Sequence, residues 1–185
     1  LHEYFGDITL GSEQLRTGLM VTTKRLDTGS PWVLHNNPKG RFFNPQDGGG
    51  IPNKDYLLRE IVRASTAAPH YFEPEDIEVA PGVQGAFVDG GVSPYNNPAL
   101  QLLLLTTLKG YGFGWPMGAD NLLLVSVGTG FLEIQMEPGK VMEMPAIQLA
   151  LQSVMSIMGD TDWLSQTVLQ WLSNSVVAWE IDSEV

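Results

Sequence analysis

The stretch that most restricts the fold is Leu122-Leu-Leu-Val-Ser-Val127, which is apolar almost throughout and is stopped by Gly128-Thr-Gly130. A run of this kind is expected of a strand buried on both faces of a parallel sheet. Helical and extended patterns alternate ahead of it, and such alternation favours an α/β fold. The expectation is therefore one α/β domain over residues 1–185, built on a central, mostly parallel sheet with helices on both faces.

Further elements follow from local chemistry. Gly18–Lys24 and Trp32–His35 are β-branched or aromatic runs around Asp27-Thr-Gly-Ser-Pro31, which is turn chemistry, and they predict two neighbouring strands. Residues 44–53 carry Gly48-Gly49-Gly50 and two prolines without apolar periodicity, so they read as a loop. Leu57, Ile61, Ala64 and Ala68 recur at helical spacing, and Pro69 ends the helix by disfavouring helical backbone at Ala68. Gly85-Ala-Phe-Val-Asp89 predicts a short strand, and Gly90-Gly91 behind it permits a sharp turn. Asn97 is placed to cap a helix that starts at Pro98 and carries Leu100, Leu104 and Leu108 on one face. Residues 140–185 predict two terminal helices, one marked by Ile147, Leu151, Val154 and Met158. In the other, Thr161 is the cap and Leu164, Val168, Trp171, Leu172 and Ser175 form the inner face.

Composition narrows the function classes. The formal charge is −11 with only ten Lys plus Arg and no cationic cluster along the chain, which argues against nucleic acid and against electrostatic docking on anionic membranes. The absence of cysteine excludes disulfides, thiolate metal sites and Cys nucleophiles, and leaves the compartment open. No apolar run approaches the roughly 20 residues of a membrane-spanning helix. The chain starts at Leu1 in patterned sequence, with no signal-peptide core, and is read as a fragment.

Two segments carry the strongest chemical signal: Leu58-Arg-Glu-Ile-Val-Arg-Ala-Ser-Thr-Ala-Ala-Pro-His-Tyr-Phe72 and Phe87-Val-Asp-Gly-Gly-Val-Ser-Pro-Tyr-Asn-Asn-Pro98. Here the chain resembles the patatin-like phospholipases, whose later half carries a helix ending in an Ala-Ser-x-Ala-Ala-Pro-like segment and then a Val-Asp-Gly-Gly turn. Phe5–Leu10, Leu19–Thr23 before Asp27-Thr-Gly29, and Leu124–Gly130 match in the same order, so the resemblance covers about residues 4–130. It implies a three-layer α/β/α fold, incomplete here, and a Ser–Asp dyad that cleaves lipid carboxylic esters through an acyl-enzyme without a cofactor. Asp89 takes the place of the dyad aspartate, with Gly90 and Gly91 as its turn. A serine hydroxyl is a poor nucleophile near neutral pH, and the carboxylate's role would be to accept its proton or orient it. The implied partners are a lipid or other acyl ester and the missing N-terminal portion of the same protein.

The nucleophile itself is missing. The resemblance calls for a G-x-S-x-G elbow and an upstream Gly-rich oxyanion loop, and neither occurs in these 185 residues. Ser12, Ser30, Ser65, Ser93 and Ser126 all lack the flanking pattern. The function is accordingly expected of the intact protein, phospholipase A-like, with this chain inactive alone; the alternative is a non-catalytic lipid-binding or regulatory module derived from such an enzyme. Taken singly, Asp89 also fits a turn residue capping local backbone. Gly128-Thr-Gly130 lacks the further Gly or Lys of a phosphate loop and reads as a strand-end turn. Glu73, Glu75, Asp76 and Glu78 read as a solvated loop, with only His70 near enough in sequence to suggest a metal site.

Overall fold

The computed structural model describes residues 1–130 and 135–174. In chain order the elements are α1 (His2–Phe5), β1 (Met20–Arg25), β2 (Ser30–His35), α2 (Leu58–Ser65), β3 (Glu75–Ala80), β4 (Val83–Asp89), α3 (Ala99–Thr107), α4 (Pro138–Met142) and α5 (Ala146–Leu172), with short 3-10 turns at Asn53–Asp55, Gly90–Val92 and Lys109–Tyr111.

The sheet corrects the expected fold class. It is four-stranded with the order β2-β1-β4-β3, and every neighbouring pair is antiparallel. The connections explain this. A tight turn joins β1 to β2, and Pro81-Gly82, with Gly82 at φ 73°, joins β3 to β4. A turn that short can only return the chain antiparallel, whereas a parallel pair needs a crossover of a dozen residues or more. Leu122–Val127, expected as a strand buried on both faces, forms no strand. Leu123, Val125 and Val127 are 81, 68 and 91% exposed, because no described strand lies beside them to complete a ladder.

The core forms where α2 lies on the sheet. Leu58, Ile61 and Ala64 point from one face of α2 onto Leu10, Leu34, Ile77, Val79 and Phe87. Trp32 meets Phe87 edge-to-face with ring centroids 5.1 Å apart. Strand β3 corrects the reading of Glu73–Glu78 as a solvated loop. Ile77 and Val79 face inward while Asp76 and Glu78 face water, the alternation of a half-buried edge strand whose charges protect the edge. Arg63 on α2 reaches Glu75 at 3.9 Å; burial raises the Glu75 carboxyl pKa and Arg63 offsets part of the rise.

The helices also depart from the pattern in register. On α3 the buried positions are Ala99, Gln101, Leu103, Leu105 and Thr106, while Leu108 lies beyond the helix and exposed. The two expected terminal helices are one, α5, 27 residues long. Thr161 caps nothing: its hydroxyl donates to the Met158 carbonyl at 2.9 Å inside the continuous helix. Leu164, Trp171 and Leu172 are 64, 76 and 46% exposed and Val168 is half-buried, so the expected inner face is not packed as a core among the described residues, and Ser175 lies outside them.

Candidate functional site

Strand β4 carries the chain from the core to Asp89. The Asp89 N–H donates to the Ala67 carbonyl at 3.0 Å, which ties the strand end to the stretch behind α2, and Thr23 of β1 is its register partner. The backbone then tightens into the Gly90–Val92 turn, where the Gly91 N–H donates to Asp89 Oδ1 at 2.7 Å. Asp89 therefore does cap local backbone, as a turn aspartate would. Only one of its two oxygens is used in this way, and Oδ2 has no hydrogen-bond partner among the described residues.

Close approach, rather than an unusual backbone angle, is what requires a glycine at position 90, and position 91 is crowded less severely. A methyl group on Gly90 would come within 2.7 Å of the Thr22 hydroxyl and would collide with the Thr22 backbone. At Gly91 the neighbours are ends of side chains: Asn96 Oδ1 at 2.9 Å, Met158 Cε at 3.0 Å and Asp89 Oδ1 at 3.2 Å. Met158 brings the middle of α5 over this turn. The small residues at the end of α2 serve the same close packing, with Ala64 and Ala67 fully buried and the Ser65 hydroxyl donating to the Thr22 carbonyl at 2.7 Å. Ser93 closes the turn by donating to the Gly90 carbonyl at 2.5 Å.

None of the described serines hydrogen-bonds to Asp89. The Ser65 and Ser93 hydroxyls are committed to backbone carbonyls, and Ser30 pairs with Thr28. What the arrangement offers is a half-buried carboxylate held by one oxygen and free at the other, on a turn where backbone approaches without side-chain obstruction.

A family profile described as patatin-like phospholipase matches residues 11–103, which spans β1 to α3 and includes Asp89, Gly90 and Gly91. The chain belongs to the patatin-like phospholipase family. Patatin-like protein 6 of Arabidopsis thaliana is 32% identical over 130 residues, which cover 69% of this chain and 26% of that protein. Probable inactive patatin-like protein 9 of the same plant is 28% identical over 153 residues, covering 82% of this chain and 36% of the relative. The chain thus spans between a quarter and two fifths of the patatin-like proteins it matches.

A second feature of this patatin-like chain involves the helical face of Trp171 and Leu172, for which covering an acyl-chain pocket is the sequence-based alternative to ordinary core packing. Between α3, the C-terminal half of α5 and the Met117–Ser126 segment lies a cleft of about 450 Å³, lined among others by Leu103, Leu122, Leu124, Leu169 and Trp171. Among the described residues its polar lining consists of amides and hydroxyls, including Asn97, Gln166 and Gln170, with no charged side chain. Leucines spread from 103 to 172 reveal such a cleft only once the helices are placed. Gly128-Thr-Gly130 is exposed and touches no such site; Gly130 sits at φ 98°, a turn conformation. Among the described residues no cluster of His, Asp and Glu is arranged to hold a metal ion. No described helix is long and apolar enough to cross a membrane.

Proposed function

We propose that the intact protein is a lipid acyl hydrolase, phospholipase A-like, in which Asp89 serves a nucleophilic serine supplied from outside these 185 residues. The observation that carries this reading is the Asp89 carboxylate itself: Oδ1 is anchored by the Gly91 N–H, Oδ2 is unpaired, and the residue sits inside the family-matched segment. The serine hydroxyl adds to the ester carbonyl as Oδ2 takes its proton; collapse of the tetrahedral intermediate expels the alcohol, which leaves with that proton, and water then releases the acyl group by the same route. The cleft beside α5, which no charged side chain among the described residues lines, supports an apolar acyl chain as the substrate class, and its volume falls within the roughly 300–1,000 Å³ of ligand sites.

The test is Asp89→Asn in the intact protein, assayed with a chromogenic short-chain ester and a micellar phospholipid. Asn keeps the acceptor for Gly91 N–H but cannot take a proton, so hydrolysis should collapse while the fold persists. A second reading, a non-catalytic lipid-binding module, is favoured by one observation: a relative that covers most of this chain is named probable inactive. It predicts lipid binding without turnover in the unaltered intact protein.

A further inference from the structure

A second site lies two strands away from Asp89 and is independent of the dyad. Strand β2 ends at His35, and the chain then turns back over its ring: a methyl group on Gly40 would overlap His35 Cε1, so the loop backbone rests directly on the imidazole. Three contacts fasten this loop to the corner after α3. Asn37 Nδ2 donates to the Tyr111 carbonyl at 2.5 Å, Lys39 Nζ donates to the Gly112 carbonyl at 3.3 Å, and the His35 and Tyr111 rings meet edge-on at 6.1 Å. Between loop and corner remains a cleft of about 480 Å³ lined by His35, Arg41, Phe42 and residues 108–111.

The charge in this cleft runs against the rest of the molecule. Acidic residues outnumber basic ones by 21 to 10, yet Arg41 and Lys109 both line the cleft and, among the described residues, no carboxylate does. Neither cation is in an ion pair among the described residues, whereas Arg25, Arg59 and Arg63 each are. The Arg41 guanidinium lies over the Phe42 ring, 5.3 Å from its centroid, which orients the planar fork. His35 is 5% exposed, and its Nδ1 is sealed from solvent with no hydrogen-bond partner.

We propose that this cleft binds a phosphate monoester, with Arg41 gripping two oxygens and Lys109 a third, and the His35 ring forming part of the wall between them. Guanidinium recognises a phosphate by two parallel hydrogen bonds and ammonium does so as a point charge, so the pair suits a dianion. The same group can arrive as a soluble phosphate ester or as the headgroup of a lipid in a bilayer.

The test compares the intact protein with its Arg41→Ala/Lys109→Ala form, since both residues sit at the surface and their loss leaves the core untouched. Titration with inorganic phosphate by calorimetry, at fixed ionic strength with chloride as control, examines the soluble source. Flotation with phosphatidylcholine vesicles, with and without phosphatidic acid, examines the lipid source. Binding of inorganic phosphate that weakens at least about tenfold in the double variant supports the site and a soluble ligand. Capture on phosphatidic acid vesicles alone, lost in the double variant, supports the site and a lipid ligand. Binding to neither probe, or equal binding by both proteins, overturns the proposal.

Discussion

Gly90→Ala and Gly91→Ala form a matched pair whose costs should differ because the obstacles differ. At Gly90 the added methyl meets the Thr22 backbone and hydroxyl, with the hydroxyl at 2.7 Å, and Thr22 belongs to β1, which is paired on both sides. A strand held by two ladders cannot step aside, so the energy of overpacking, about 1–3 kcal/mol, is felt in full. At Gly91 the obstacles are side-chain ends: Asn96 and Met158 rotate away, Asp89 Oδ1 at 3.2 Å need give only slightly, and the reduced freedom of the unfolded chain returns about 0.4–1 kcal/mol. The expected result is a loss of about 2 kcal/mol for Gly90→Ala and a change near zero for Gly91→Ala. Urea unfolding followed by far-UV circular dichroism reads this as a midpoint lowered by about 1 M for the first variant, taking a slope of about 2 kcal/mol/M. Gly91→Ala as destabilising as Gly90→Ala, or Gly90→Ala without effect, would refute the argument that strand backbone is what fixes the turn beneath Asp89.

Three further outcomes follow from the packing. Phe87 is 1% exposed and central to the core, so Phe87→Ala should cost about 3–5 kcal/mol in the same unfolding experiment. The Tyr56 hydroxyl is buried without a partner, and burial pushes its pKa up to about 12. A raised pKa means the folded state favours the neutral phenol, so its stability contribution is complete below about pH 10 and declines as pH rises toward 12; Tyr56→Phe should flatten stability across that window without loss at neutral pH. The apolar positions exposed along α4 and α5, among them Met142 at 87%, Ile147 at 79%, Ile157 at 59% and Trp171 at 76%, should make the chain on its own self-associate. Sedimentation should show a concentration-dependent increase in mass that Ile157→Glu with Trp171→Glu reduces, and a monomer at all concentrations would contradict it.

What could be read from sequence was whatever depends on neighbours in the chain. The β1–β2 hairpin follows from Asp27-Thr-Gly-Ser-Pro31, and α2 from the spacing of its apolar residues, although the helix stops at Ser65 rather than running to Ala68 before Pro69. Asp89 was correctly placed at a strand end before a glycine turn. What failed depended on distant partners. Leu122–Val127 has the composition of a buried strand, but a strand needs a ladder beside it, and composition does not show whether one is present. Strand β3 was missed because its charges drew attention from the alternation of Ile77 and Val79, although Pro81-Gly82 followed by Val83 was a legible hairpin signal. In α5, Thr161 was expected to cap a second helix, yet nothing ahead of it stops the first: an isolated helical glycine such as Gly159 costs only about 1 kcal/mol and the helix runs through. The cleft at His35 joins residues about seventy positions apart, which is why the chain showed no cationic cluster.

The central claim is that Asp89 Oδ2 takes the proton of a serine during ester cleavage. Its most direct measurement is kcat for ester hydrolysis by the intact protein and by its Asp89→Asn form, with the unfolding midpoint recorded for both. General-base catalysis contributes about 10²–10⁴-fold, so kcat should fall by at least about a hundredfold at an unchanged midpoint. An Asn variant that retains full activity would contradict it.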